Sequence, residues 1–191
     1  LFAFSDLGIK ESRGSYIIEA AKPKEVFFNL RNDVKKIALA QYFAELCETL
    51  APEKENTEEY LKLILNSLML LMNDKRDEKI IKSVFELSIL SLSGYMPNII
   101  ACDECGKYED EFMFFDTSNG NIFCENCGKF GMKVPVSVIS AVRYIVLSDR
   151  QKIFNFNLNE TNLNTLSDLT EKYTLSVLQR RFKTLDFYHV L

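Results

Sequence analysis

Apolar residues recur along this chain with the period of a helix, and this pattern predicts a mainly α-helical fold. From Val26 to Leu50 they repeat every three to four residues, as on the buried face of one helix. Pro52 ends this helix, because proline lacks the amide hydrogen that an interior helical position donates. A second helix, predicted over about residues 58–72, is apolar on nearly every side, so we expect it at the centre of a bundle.

Further helices complete the predicted bundle. One starts near Asp77 and ends at Gly94, since glycine readily adopts the left-handed conformation that caps a helix. Another begins at Ser137, which we expect to be its N-cap, and the last runs from about residue 160 to residue 182. Residues 183–189 are then expected to form a tail. The predicted architecture is a bundle of four or five helices interrupted by a small β insert.

The first 22 residues have a different pattern from the rest of the chain. Leu1–Phe4 and Tyr16–Ile18 are short apolar runs on either side of a polar connection that contains Gly8 and Gly14, which predicts a β-hairpin. Two strands are not stable alone, so this segment is expected to be the end of a truncated β-domain. The chain does not begin with methionine and shows no signal-peptide pattern. We therefore expect that an upstream piece of the protein is missing.

Two CxxC pairs separated by 18 residues predict a metal site. Two residues between thiols allow one tight turn to direct both sulfurs at a single ion, and a glycine after each pair relieves crowding in that turn. Apolar runs at residues 112–115 and 121–123 flank a polar turn, so a β-hairpin is expected between the pairs. The predicted metal ligands are Cys102, Cys105, Cys124 and Cys127.

The four thiols favour a structural Zn²⁺, one ion per chain. Four thiolates leave no coordination position for water, whereas a catalytic zinc ion needs an open position. A hairpin of this size cannot bury a core of its own, so metal binding would supply its folding free energy. An iron–sulfur cluster and redox-active or vestigial cysteines are the alternatives that the spacing leaves open.

The formal net charge of −4 changes the expectation for nucleic-acid binding. Proteins that bind DNA tightly usually present a strongly basic domain, because phosphate neutralisation drives their affinity. Any DNA contact is therefore expected from local basic clusters or from outside this chain. Two clusters are candidates for phosphates or for an acidic peptide tail: Arg180, Arg181 and Lys183, and then Lys22, Lys24, Lys35 and Lys36. The alternatives are cations at a helix C-terminus for the first cluster and a solvated helix face for the second.

Residues for catalysis are scarce, and we expect no enzyme activity. His189 is the only histidine, and no Walker A or dinucleotide-binding glycine motif occurs. Cys47, the unpaired cysteine, is expected to pack in the core. The longest apolar run, residues 63–73, falls well short of the roughly 20 residues that span a bilayer. Because the odd cysteine count suits a reducing compartment, we expect a soluble cytoplasmic protein.

The order of features around the cysteines narrows the prediction further. The helix end FELSILSLSGYMP at residues 85–97 leads into CDECG, VPVS follows the second pair, and RFKTLDF occupies residues 181–187. This succession resembles the bacterial RecO family, whose members carry a Leu-Gly-Tyr-x-Pro helix end before the cysteines and an Arg-x-x-Lys-Ser-Leu type tail. Ser93 and Thr184 depart from that pattern.

The resemblance implies how the chain is divided. Residues 1–22 would be the remnant of an OB-fold β-domain, and residues 23–191 would be the helical C-terminal domain of the family. The zinc ribbon would be inserted at residues 99–131. Most of the OB barrel would precede residue 1, and with it the groove that combines basic and stacking aromatic residues.

The resemblance also implies a function in DNA repair as a recombination mediator of the RecFOR type. RecO proteins bind single- and double-stranded DNA, anneal complementary strands and act with RecR. They also recognise the acidic C-terminal tail of single-strand binding protein (SSB), so that RecA can load. We expect these partners here, with no membrane association and a location at the bacterial nucleoid. The alternative is a zinc-ribbon adaptor without a direct DNA role, which the acidic charge balance favours.

Overall fold

The computed structural model describes residues 2–53, 55–128 and 130–191. In these ranges a two-stranded sheet precedes a helical bundle, and a three-stranded sheet is inserted before the fourth helix. The helices are α1 (Val34–Leu50), α2 (Glu58–Met72), α3 (Glu78–Leu92), α4 (Val136–Leu147), α5 (Glu160–Leu178) and α6 (Lys183–His189). The strands are β1 (Ala3–Ser12), β2 (Ser15–Val26), β3 (Phe112–Phe115), β4 (Ile122–Cys124) and β5 (Met132–Pro135). None of the described helices combines the length and the apolar composition that crossing a membrane requires.

The N-terminal hairpin extends beyond the apolar runs that predicted it. β1 and β2 pair antiparallel from Ala3 and Val26 to Ser12 and Ser15, and Gly14 takes a positive φ of 78° in the turn. Both strands are largely exposed along their length. Since β2 continues to Val26, the predicted domain division after residue 22 falls inside a strand; that division remains a prediction.

Helix α1 begins later than predicted. Residues Phe28–Asn32 form a 3-10 turn, and α1 starts only at Val34, where the Asp33 side chain caps it by accepting hydrogen bonds from two backbone amides. Phe27, just before this turn, and Leu30, within it, are both buried. Because a spacing of three residues suits a 3-10 turn as well as an α-helix, the periodicity alone could not separate them. The predicted earlier start was wrong for this reason.

Helix α3, and not α2, lies at the centre of the bundle. Eleven of the 15 residues of α3 are buried, and the helix packs against α1, α2, α4 and α5. Helix α2 leaves Leu61 and Met69 partly exposed. The prediction that α2 is central was wrong, because the interior positions of α3 include polar residues such as Ser83 and Ser88 that lower its apparent apolarity.

A buried ionic network joins α1, α3 and α5. The ammonium group of Lys82 lies 3.0 Å from a Glu86 oxygen and 2.8 Å from a Glu171 oxygen. The Glu86 carboxylate also accepts hydrogen bonds from the Tyr42 hydroxyl at 2.9 Å and from the Thr170 hydroxyl at 2.6 Å. Burial opposes the charge on Lys82, but the two carboxylates outweigh it and raise the pKa of the ammonium group. The buried charges therefore have the partners that a low-dielectric interior requires.

The end of the chain is more structured than predicted. Helix α5 ends at Leu178, because Gln179 adopts a left-handed conformation with φ of 48°, so the predicted end at Phe182 was wrong. Residues 183–189 form α6 and not a tail, and α6 packs against α1. The Phe182 ring is buried edge-on against Tyr42, with ring centroids 5.6 Å apart.

Helix α4 begins two residues earlier than predicted. β5 continues into α4 through Pro135, which occupies the N-cap position, so Ser137 lies in the first turn. The prediction of Ser137 as N-cap was wrong, because the extended backbone of Pro135 already provides the entry to the helix. The Ser137 hydroxyl instead accepts a hydrogen bond at 2.8 Å from the Asn162 side-chain amide, which ties α4 to α5.

Removing the cation of the buried network should destabilise the bundle. In Lys82→Met the Glu86 carboxylate stays buried without its ion partner, and we expect the free energy of unfolding to fall by about 3–5 kcal/mol. Urea unfolding followed by circular dichroism measures this change. The matched control Lys172→Met removes an exposed partner of Asp168 and should change stability by less than about 0.5 kcal/mol. Equally small effects in both variants would contradict a structural role for Lys82.

Candidate metal centre and basic clusters

A three-stranded antiparallel sheet carries the cysteine segment and packs on the bundle. β3 is its central strand and pairs with β4 in the register Met113–Cys124 and with β5 in the register Met113–Val134. The β3–β4 pair is the hairpin that the apolar runs predicted, whereas β5 was not predicted. One face of the sheet is fully buried and comprises Met113, Phe115, Ile122 and Val134.

Each cysteine pair lies in a tight turn closed by backbone hydrogen bonds. Gly106 N donates to Cys102 O at 2.9 Å, and Gly128 N donates to Cys124 O at 2.7 Å. Gly106 has a positive φ of 73°, which side chains other than glycine rarely adopt. A Cβ atom on Gly128 would lie only 2.3 Å from the Phe114 ring. The two glycines therefore meet different needs, one of backbone conformation and the other of close packing.

The fold brings four sulfur atoms into one cluster. The Sγ atoms of Cys102, Cys105, Cys124 and Cys127 all lie within 4.8 Å of one another, and those of Cys105 and Cys124 are 3.6 Å apart. In a tetrahedral site with metal–sulfur bonds of about 2.3 Å, the sulfur atoms are about 3.8 Å apart. The four cysteines are therefore positioned to bind a metal ion.

The electrostatics of the cluster also favour a cation. Burial disfavours the Cys102 thiolate, but backbone hydrogen bonds at Cys105, Cys124 and Glu104 outweigh burial and lower the pKa of the Cys102 thiol to about 6. Hydrogen bonds with the thiols of Cys124 and Cys105 raise the pKa of Cys127 well above its ordinary value. Four thiols this close cannot all ionise unless a positive charge balances them, and a metal ion supplies that charge.

Two residues with structural roles around the cysteine turns were missed by the sequence analysis. Asp103 is exposed in its turn, and its carboxylate accepts hydrogen bonds from the side-chain amides of Asn98 and Asn121, both at 3.1 Å. Arg143 of α4 is buried and donates to the carbonyl of Ile99 at 2.7 Å. No local signal marked Arg143, because its partners come from a distant part of the sequence.

The first basic cluster lies at the junction of α5 and α6. Arg180 is partly exposed and forms an ion pair with Glu45 at 3.4 Å. Arg181 and Lys183 are exposed, whereas the intervening Phe182 is buried and adds no aromatic surface to the cluster. The binding role of these basic residues remains a prediction.

The second basic cluster is divided between two elements. Lys22 and Lys24 lie on the exposed strand β2, while Lys35 and Lys36 lie in the first turn of α1. Lys35 pairs with a carboxylate of α3, and Lys36 is buried and pairs with Asp74. Lys36 therefore directs its charge within the protein, and binding of a ligand by this cluster remains a prediction.

Cys47 and His189 occupy structural positions. Cys47 packs against the core, and burial raises the pKa of its thiol to about 11, which makes it a poor nucleophile. The His189 ring lies near the end of α6, with Nε2 2.8 Å from Glu171, a member of the buried network. His189 therefore connects the last helix to α5 and is not part of a surface tail.

The sequence of the chain matches a known protein family. The family described as "Recombination protein O C terminal" matches residues 31–186. The chain belongs to the RecO family. The RecO match starts before α1 and ends within α6, so it includes the bundle and the cysteine sheet.

RecO relatives extend the similarity to the N-terminal strands. The DNA repair protein RecO of Alkaliphilus metalliredigens is 27% identical over 189 residues, which are 97% of this chain and 77% of the relative. The DNA repair protein RecO of Acetivibrio thermocellus is 27% identical over 194 residues, covering 100% of this chain and 77% of the relative. The corresponding protein of Caldicellulosiruptor bescii is 28% identical over 189 residues, with coverages of 98% and 77%.

The cysteine cluster of this RecO chain should bind one metal ion. Cys124→Ser removes a buried ligand, so we expect its metal content after purification to fall well below that of the wild type. Inductively coupled plasma mass spectrometry measures this content. Cys47→Ser is the matched control, because it also removes a thiol from the interior but leaves the cluster intact. Equal metal contents in wild type and Cys124→Ser would show that the cluster is not the binding site.

Proposed function

We propose that this chain acts in DNA repair as a recombination mediator that binds DNA and proteins without catalysing a reaction. The family match over residues 31–186 carries the proposal, and relatives named for DNA repair support it. In this role the protein binds single- and double-stranded DNA, anneals complementary strands and acts with RecR. It also engages the C-terminal tail of SSB, so that RecA loads onto the strand. It acts in the bacterial cytoplasm, at the nucleoid.

In the proposed protein, the four cysteines hold one structural Zn²⁺. Four thiolates at tetrahedral spacing complete the coordination of the ion, which then binds no water and contributes folding free energy to the sheet. Sulfur atoms that all lie within 4.8 Å of one another favour a single ion over an iron–sulfur cluster, in which the cysteines bind different irons around bridging sulfides. Zinc is therefore the ion that fits the spacing and the donor atoms best.

The arrangement of reactive side chains supports binding and not catalysis. The single histidine, His189, is held by Glu171, and four of the five cysteines share the candidate metal site. Burial keeps the remaining thiol, Cys47, protonated at neutral pH. The side chains that most often act as nucleophile or general base are thus engaged in structure.

The cluster at the α5–α6 junction is the proposed contact for phosphates or for an acidic tail. Lys183 and Arg180 line an open groove beside α1, and Glu45 and Glu48 line the same groove. Arg180 is already paired with Glu45, so the exposed positive charge resides mainly on Arg181 and Lys183. These two residues would provide the salt-dependent part of binding.

A fluorescent peptide copying the SSB tail tests this surface. We expect binding to the 191-residue chain in the micromolar range, and the affinity should fall as salt screens the exposed charges. Replacing Arg181 and Lys183 together with Ala should weaken binding several-fold, whereas Lys172→Ala, an exposed site on α5, should not. Fluorescence anisotropy measures the peptide affinity of the unchanged chain, of the double variant and of Lys172→Ala. Absence of binding by the folded, metal-loaded chain would contradict docking of the tail on this chain.

The second candidate function is a zinc-ribbon adaptor that works through protein contacts alone. The observation that favours it is charge: the chain carries a net −4, and Lys35, Lys36 and Arg180 are each paired with a carboxylate. Annealing of complementary DNA strands separates the two functions. The protein should accelerate annealing if it is a mediator, and an adaptor should leave the rate unchanged.

A further inference from the structure

Arg143 lies at the junction between the bundle and the cysteine sheet. It is on α4, only 7% exposed, and its guanidinium group reaches into the segment that carries the first cysteine pair. A buried cation at such a position needs several partners, because the interior does not solvate its charge. The identity of those partners indicates what the residue does.

The partners of Arg143 are mainly backbone carbonyls of one segment. Nε donates to Ile99 O at 2.7 Å, and Nη2 donates to Ile100 O at 3.0 Å and to Tyr108 O at 2.6 Å. Nη1 pairs with the Glu109 carboxylate at 3.1 Å. The Tyr108 ring also lies over the guanidinium carbon, 4.1 Å from the ring centroid. The planar, five-donor shape of arginine is suited to such multiple contacts.

These contacts hold both ends of the first cysteine turn. Ile100 precedes Cys102 by two residues, and Tyr108 follows Cys105 by three, so one guanidinium group holds the chain on either side of the pair. Between Ile100 and Tyr108, Cys102 N donates to Lys107 O at 2.8 Å and closes the turn. Arg143 therefore links the two ends of the turn that carries Cys102 and Cys105.

We propose that Arg143 is a positioning residue of the metal centre, which holds Cys102 and Cys105 in their ligating geometry and couples metal occupancy to the packing of α4. The inference rests on the proposed Zn²⁺ site. Coupling of this kind is reciprocal: what Arg143 contributes to metal affinity, the metal contributes to the stability of α4. If the ion leaves and the turn opens, the buried guanidinium group loses carbonyl partners that only this turn supplies.

The test compares Zn²⁺ affinity by competition with a chromophoric chelator, and Co²⁺ absorption as a report on thiolate coordination. Arg143→Met should bind Zn²⁺ 10–100-fold more weakly, roughly the effect of removing an outer-shell contact. Arg143→Lys keeps the charge but cannot span both ends of the turn, so its affinity should stay reduced. Glu109→Gln keeps the three carbonyl contacts and should have a smaller effect than Arg143→Met. Arg150→Met, which removes an exposed arginine just after α4, is the matched control and should bind as the wild type does.

Thermal unfolding with and without metal provides the reciprocal measurement. Stripping the ion should lower the melting temperature of the wild type more than that of Arg143→Met, because the variant has already lost the coupling. Wild-type Zn²⁺ affinity and an unchanged Co²⁺ spectrum in both Arg143 variants would overturn the inference. Failure of the wild-type chain itself to bind Zn²⁺ would instead overturn the proposed zinc role. Far-UV circular dichroism checks the fold, and Arg143→Lys keeps the test decisive if Arg143→Met does not fold.

Discussion

The bundle depends on how it accommodates opposite charges in its interior. Lys82 and Glu86 lie on helix α3, and a charge there is tolerated only if neighbouring helices supply partners. Tyr42 from α1 and Thr170 and Glu171 from α5 provide them. This requirement specifies the rotational setting of α1 and α5 about α3 more strictly than apolar packing, which tolerates exchange among side chains of similar volume. Polar contacts thus select one arrangement, and the apolar core around them stabilises it.

The cysteine sheet is joined to the bundle by the same combination of interactions. Its buried face continues the apolar core, and Phe115 meets Tyr173 of α5 edge-on, with ring centroids 5.4 Å apart. The Tyr173 hydroxyl donates to Tyr95 O, and Arg143 holds the first cysteine turn to α4. The sheet therefore forms part of one continuous core, which gives the small cysteine segment a fixed position relative to the helices.

Local patterns predicted the candidate metal cluster and the bounds of helices α2 and α3, but not what surrounds them. The CxxC spacing is itself local, and helix α2 occupies the residues that its periodicity indicated. By contrast, Arg143 and Ile99 are 44 positions apart, and Gln179 breaks a helix without the glycine or proline that usually marks such a position. The apolar periodicity also indicated that α2, and not α3, is the central helix. Lys82 and Glu86 count as polar positions in such a pattern, although they form an ion pair inside the bundle. The burial of Lys36 was likewise not predicted, because its carboxylate partner comes close only in the tertiary structure.

The four sulfur atoms of the cluster differ in their contact with solvent. Cys102 and Cys124 are buried, Cys127 is half-buried and Cys105 is exposed. Because Cys105 is the most exposed of the four, an oxidant or an alkylating reagent meets its sulfur before the buried sulfurs of Cys102 and Cys124. Damage would begin as the loss of one ligand from an otherwise intact set. Early oxidation of Cys105 to a sulfenic acid or a disulfide is reversible by reduction, whereas alkylation removes this ligand permanently.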